Sequence, residues 1–349
     1  MTSSENHNAL RKTLHLATGI PIDMISNFKK HFCLTLIIAA HLIALPALSE
    51  VIRSKETAIG EKLNLPVYSW TNPQATRKGI IVGVHGLCFF GTAFNDIAQY
   101  FADQGYDFYS LDMRGYGRWK TESEKFHGDN GVHYSQSLTD LAKLASQLKE
   151  QMPGEPIFCI GESLGANIGV TLVATNPQLF DGAILGSPCV RRYIHPRVHW
   201  ITDFFRQQMR PYKPLDIEPY ITPYLSDSAE LTRSCVEDPD INRMLSPADL
   251  IKTSVTNRRA IKMAGKLPSS MPILVLAGGK DNVFDIKSLP KFTSRMTSQH
   301  VEVNVLPGKG HLLIEHQPVR PEVAQIIGAW LKEQSPSPDR IVQASPQLQ

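Results

Sequence analysis

Along most of the chain, short aliphatic runs alternate with stretches whose apolar residues recur at helical spacing. Residues 79–84, Gly-Ile-Ile-Val-Gly-Val, are apolar at successive positions and end at His85-Gly86, the pattern of a strand buried on both faces. Runs at 156–160, 182–186 and 271–277 repeat the signature, 107–111 and 301–306 read as further strands, and 65–70 reads as an earlier strand before the turn at Asn72-Pro73. Between them Phe94, Ile97, Ala98 and Phe101 predict a helix over 93–101. Leu138, Leu141, Leu144, Ala145 and Leu148 predict another, stopped by Pro153-Gly154. Further helices are expected from 164 to about 174 and over 321–332. Strands and helices in this alternation predict an α/β fold, a largely parallel sheet covered on both faces.

The rhythm breaks over 190–266, where prolines, aromatics and arginines interrupt it and only short helical patterns such as 201–209 survive. Because the alternation resumes at 271, the break is an insertion within one sheet. The Ser/Pro/Gln-rich tail, 335–349, is expected to be disordered. At the other end, residues 32–48 are almost uniformly apolar and follow Lys29 and Lys30. With small residues at Ala47-Leu48-Ser49, and Met24 as an alternative start, residues 1–49 read as a signal peptide. The rivals are an uncleaved membrane anchor and a packing helix of a cytosolic protein. The lysines favour a cytoplasmic N-terminus and an exported domain (periplasmic, extracellular or held at the membrane) over 50–334.

Composition alters this picture mainly by exclusion. A chain of 349 residues with 42% hydrophobic and 20% charged residues supports a large core. A net charge of +3 with scattered basic residues argues against a nucleic-acid partner. The five cysteines form no CxxC pair and no zinc-like spacing with histidine, so no metal site is expected and buried free thiols are favoured over a disulfide framework.

Candidate chemistry centres on Gly161-Glu162-Ser163-Leu164-Gly165, which directly follows the strand at 156–160 and opens a small-residue helix. A strand-to-helix turn of this kind presents a serine hydroxyl beyond the sheet edge. A hydroxyl is a poor nucleophile near neutral pH, so it needs a histidine to take its proton and a carboxylate to orient that histidine. His311 stands in a glycine-rich loop after the strand at 301–306. Asp281 stands after the strand at 271–277, with Asp285 four residues on as the alternative acid. His85-Gly86-Leu87 follows the strand at 79–84, so the backbone N–H groups of Leu87 and Leu164 are candidates for an oxyanion hole, with His85 structural. Arg114-Gly115-Tyr116-Gly117 lacks the glycines and lysine of a phosphate loop and reads as a structural turn.

In their order, HGL at 85–87, DMRGYG at 112–117, GESLG at 161–165, GGKD at 278–281 and GKGH at 308–311 are specific. From about residue 78 to 332 the chain resembles the monoacylglycerol lipase and lysophospholipase (serine aminopeptidase S33-like) group of α/β-hydrolases. The resemblance implies an eight-stranded, mostly parallel sheet flanked by helices, with a cap inserted at about 190–266. It also implies hydrolysis of a carboxylic ester, an acylglycerol or lysophospholipid, through an acyl-enzyme on Ser163, with Asp281 and His311 completing the triad and no cofactor. Glu162 and Trp119 depart from the group, many of whose members have His and Ser there. Short-chain esterase, serine peptidase or acyltransferase activity stands behind the lipase-like reading, and a non-catalytic protein binding a small ligand is the rival from another class. In the cap, Arg191, Arg192 and Arg197 with Tyr193 and Trp200 are candidates for contact with lipid heads or for solvated surface. Phe204, Phe205, Met209 and Tyr212 are candidates for an acyl pocket or for cap core.

Overall fold

Eight strands hydrogen-bond side by side in the order β1-β2-β4-β3-β5-β6-β9-β10. They are β1 (Ile52–Ser54), β2 (Val67–Thr71), β3 (Gly79–Val84), β4 (Tyr106–Leu111), β5 (Ile157–Glu162), β6 (Gly182–Gly186), β9 (Ile273–Gly278) and β10 (Val301–Leu306). From β4 to β10 all neighbours pair parallel, while β1 and β2 are antiparallel additions at one edge. The computed structural model describes residues 51–188 and 210–335. The apolar stretch at 32–48, the cap residues 191–209 singled out above and the tail after 335 lie outside the described residues.

The inner strands form because their side chains fill both faces. Ile80, Val82 and Val84 of β3 join one core with Ile157 and Cys159, whereas Ile81 joins the other with Phe108, Phe158 and Ile160. Helices cover both faces. α4 (Tyr134–Gln151) buries Leu141, Leu144, Ala145 and Leu148 in the first core, and α2 (Asn95–Asp103) and α10 (Pro321–Gln334) bury Phe101 and Trp330 in the second. α4 begins earlier than its leucine stripe because Tyr134 is itself buried, its hydroxyl bonded to Tyr116 at 2.6 Å and to Thr253 at 2.9 Å. Before β2 lie β1 and a short helix, α1 (Ala58–Leu63), in a region whose mixed pattern gave neither.

α3 (Arg118–Thr121) follows the DMRGYG turn and carries the departure at Trp119. The indole is fully buried, donates to Asp112 O at 2.9 Å and lies under the Arg114 guanidinium, 4.2 Å from the ring centre. This residue fills core and faces no solvent. α5 (Leu164–Thr175) is buried along almost its whole length beneath β5 and β6.

The described part of the insertion holds a small antiparallel pair, β7 (Leu215–Asp216) with β8 (Met244–Leu245), and helices α6 (Glu218–Leu225), α7 (Ala229–Glu237) and α8 (Pro247–Met263). α8 starts from a capping box in which Ser246 and Asp249 satisfy each other's backbone N–H, with Pro247 at its first position. It packs on α5, where Asn167 Nδ2 donates to Asn257 Oδ1 at 3.0 Å, and it buries Thr253 and Ala260. Of the stretch 190–266 read as a cap, this helix therefore belongs to the layer over the sheet. The apolar signal was hidden because α8 buries small and polar residues on the face it offers. α9 (Leu289–Thr293) follows β9 and buries Leu289 and Phe292.

Candidate active site

β5 ends at Glu162, and the chain turns directly into α5 at Ser163, which holds φ 58° and ψ −118°. A non-glycine residue at positive φ costs on the order of 1–3 kcal/mol and persists only where its surroundings fix it. Here the Ser163 N–H donates to Gly186 O at 2.8 Å, anchoring the turn to β6. A Cβ on Gly165 would collide with the carbonyl oxygen of Val84, so α5 meets the end of β3 backbone to backbone. The hydroxyl thus stands at the carboxyl edge of the sheet and at the N-terminus of a helix, where developing negative charge is favoured.

Two loops from neighbouring strands meet it. β9 delivers Asp281 and β10 delivers His311; they approach so closely that a Cβ on Gly278 would collide with Gly310 O. Ser163 Oγ lies 2.9 Å from His311 Nε2, and His311 Nδ1 lies 2.8 Å from Asp281 Oδ2. A carboxylate only accepts, so Nδ1 carries the imidazole proton and Nε2 is left to accept from the hydroxyl. All three residues are at most 9% exposed. Burial pushes the Asp281 carboxyl up. The His311 ring and the N–H groups of Phe284 and Val283, which donate to Oδ1 at 3.0 and 2.8 Å, outweigh it and hold the carboxyl below its ordinary value. The alternative acid, Asp285, faces elsewhere: its carboxylate accepts from Lys287 N and caps the turn at Ile286–Ser288.

The candidate oxyanion donors flank this site. Leu164 is the first residue of α5, so its N–H has no acceptor within the helix. Neither it nor the Leu87 N–H has a protein acceptor among the described residues. The turn carrying Leu87 is locked by His85, whose Nδ1 donates to Gly86 O at 2.9 Å while Nε2 accepts from Met113 N at 2.9 Å. The ring is completely buried, and burial lowers its pKa to about 4, so it stays neutral and structural. The next residue, Cys88, sits at φ 73° and accepts from Asn242 N, tying the turn to the insertion.

Sequence reasoning missed the residues that hold the histidine loop. Glu162, fully buried behind Ser163, accepts from three consecutive backbone N–H groups: Leu313 at 2.8 Å, Ile314 at 3.0 Å and Glu315 at 2.8 Å. Asp227, between α6 and α7, accepts from Gly310 N at 2.8 Å and pairs bidentately with Arg320, while Leu312 N donates to Leu225 O. Ser187 Oγ donates to the carbonyl of His311 itself at 2.6 Å. The departure Glu162 was visible in the motif; its partners 151 to 153 positions away were not. Of the pocket candidates, Tyr212 is 82% exposed, and the others lie outside the described residues. Cys88, Cys159 and Cys235 are buried free thiols. Among the described residues, no acidic, His and Cys cluster suits a metal ion, and no helix is long and apolar enough to cross a membrane.

Residues 75–317 match the family model described as serine aminopeptidase, S33. The monoacylglycerol lipase of Mycolicibacterium smegmatis is 23% identical over 269 residues, covering 76% of this chain and 92% of that protein. The human monoglyceride lipase is 25% identical over 275 residues, covering 75% of this chain and 85% of that one. Among solved structures, a soluble variant of monoglyceride lipase from Saccharomyces cerevisiae in complex with a substrate analog is similar with a TM-score of 0.65 at 15% identity. It covers 84% of this chain and 100% of that chain, a likeness of fold.

Proposed function

Because the chain belongs to the serine aminopeptidase S33 family of α/β-hydrolases, we propose that it hydrolyses carboxylic esters through an acyl-enzyme on Ser163. The observation that carries this reading is the buried relay of Ser163, His311 and Asp281 at 2.9 and 2.8 Å. His311 Nε2 takes the hydroxyl proton as Oγ attacks the acyl carbonyl, and Asp281 stabilises the imidazolium that forms. The Leu87 and Leu164 N–H groups receive the tetrahedral oxyanion. His311 then returns the proton to the leaving alcohol, and a water activated by the same ring releases the acid.

For the substrate we infer a monoacylglycerol or lysophospholipid. The relatives named as monoacylglycerol and monoglyceride lipases support this, as does an apolar wall of Leu87, Phe89, Leu225, Cys235 and Ile241 beside the oxyanion turn. We further infer that the domain works outside the cytoplasm, a reading supported by Lys29 and Lys30 before the apolar run at 32–48.

A fluorophosphonate probe tests the chemistry. One adduct is expected, on Ser163, and none in Ser163→Ala; a folded protein that forms none refutes the enzyme reading. A series of p-nitrophenyl esters, monoacylglycerols and aminoacyl anilides tests the substrate. Rates should rise with acyl length, whereas turnover confined to acetate esters or to anilides overturns the lipase-like reading.

A further inference from the structure

Behind Ser163 lies a second buried acid that the proposed reaction does not use. Glu315 is 1% exposed, and its Oε1 accepts from Gly86 N at 2.8 Å. Gly86 precedes Leu87 in the oxyanion turn, and its Cα leaves no room for a side chain against Glu315 Oε2. Glu162 meanwhile receives the N–H of Glu315 and of the two residues before it. One pair of carboxyl groups therefore joins the elbow at Ser163, the loop of His311 and the turn of Leu87.

We propose that Glu162 and Glu315 are a positioning pair carrying one negative charge, in which anionic Glu162 sets the His311 loop and neutral Glu315 sets the oxyanion turn. The inference rests on the serine hydrolase reading of Ser163. The division of charge follows from the donors. Three N–H groups converge on Glu162 and one on Glu315, whose Oε2 has no protein partner among the described residues. Two adjacent buried carboxyls do not both ionise cheaply, so the proton stays where fewer donors compensate charge. Burial together with the Glu162 charge accordingly holds the Glu315 carboxyl well above its usual range.

The surroundings agree with this assignment. The titratable groups facing Glu162 are His311 and Glu315. Glu315 is among the residues lining a cavity of about 200 Å³ whose other ionisable residues are Cys235, Asp238 and Arg53. Burial pushes the Cys235 thiol up to about 12, so it stays neutral beside the acid. A protonated Oε2 is a donor there; an anionic one would be an unpaired buried charge.

The two positions should therefore differ in their tolerance of glutamine. Glu162→Gln places an amide N–H2 among three N–H donors and removes the charge. A fall in kcat of about 10- to 100-fold is expected, the size of losing about one charge-assisted bond. KM should stay within about twofold. Glu315→Leu should also lower kcat, and Glu315→Gln, which keeps a neutral acceptor for Gly86 N–H, should rescue it. Difference infrared spectra of wild type against Glu315→Gln at pH 8 should show the carbonyl stretch of one protonated buried acid lost.

Equal tolerance of Gln at both positions, or no protonated-acid band, overturns the proposal. If Glu162→Gln does not fold, the infrared band and the Leu and Gln variants at 315 decide it. Failure of wild type to react with the fluorophosphonate would instead remove the enzyme reading, which the infrared measurement does not depend on.

Discussion

Replacing Asp281 by Asn tests the relay at its weakest link, because two acids compete for that role in the sequence. Asp281 Oδ1 accepts from Val283 N at 2.8 Å and Phe284 N at 3.0 Å. In Asp281→Asn the amide can place either its oxygen or its nitrogen there. Turning the nitrogen inward would leave two buried N–H groups without acceptors, at about 1–3 kcal/mol each. The oxygen therefore stays, and the N–H2 faces His311 Nδ1. That nitrogen must now accept, so the ring proton moves to Nε2, which donates toward Ser163 instead of taking its proton.

A wrong tautomer of this kind lowers kcat by about 10⁴ in serine proteases, equivalent to about 5 kcal/mol. Steady-state hydrolysis of a medium-chain p-nitrophenyl ester, corrected for active sites by fluorophosphonate titration, measures it. Asp285→Asn, which disturbs only the turn at Ile286–Ser288, should leave kcat within about twofold. The reasoning is refuted if Asp281→Asn retains more than about a tenth of the activity, or if Asp285→Asn is equally damaging.

The remaining expectations concern what holds the site together. His85 titrates near 6.5 when unfolded and about 4 when folded, so the unfolded state binds more protons between those values and stability falls as the pH drops through the window. The loss comes to about 2 kcal/mol at pH 5. Between pH 7.5 and pH 5, denaturant unfolding should show wild type losing about 2 kcal/mol more than His85→Gln. Gly165→Ala drives a methyl into Val84 O and should lower Tm by at least about 5 °C or prevent soluble expression, read by thermal melting. Asp227→Ala releases Arg320 and the Gly310 N–H, and a drop in kcat of about fivefold or more is expected with fluorophosphonate labelling of Ser163 slowed in proportion.

Much of this architecture was written in the strands. Residues 79–84 and 182–186 were legible because a parallel sheet buried on both faces demands uninterrupted apolar runs, and the edge strand 301–306 because its valines alternate with Glu302 and Asn304; the bounds agree with β3, β6 and β10. Ser163 and Asp281 were legible for the same reason, since each follows the end of such a run, and His311 because it follows the alternating run 301–306. β1 went unread because an edge strand of three residues, two of them exposed, needs no apolar pattern. α8 was assigned to the cap because Thr253 and Ala260 pack it against α5 without a leucine stripe. The network around Glu162 and Asp227 is long-range pairing of carboxylates with backbone N–H groups. Any residue but proline supplies such a donor, so its identity leaves no trace in the sequence.

The pairing of β6 with β9 has a further consequence. Ala183 lies beside Ile273 and Gly186 beside Leu276, although the whole insertion separates them along the chain. The chain thus departs from one strand and rejoins its immediate neighbour, a detour whose two ends the sheet already holds together. Closing a longer or shorter loop between fixed ends changes chain entropy by only about 0.6 kcal/mol per doubling of length. What can be exchanged between Ser187 and Ser246 is therefore the chain other than Ser187, Leu225, Asp227 and Asn242, whose contacts hold the histidine loop and the oxyanion turn. Recombination or graded shortening can remodel what enters the pocket, while the strand pairing that aligns serine, acid and histidine is left unbroken.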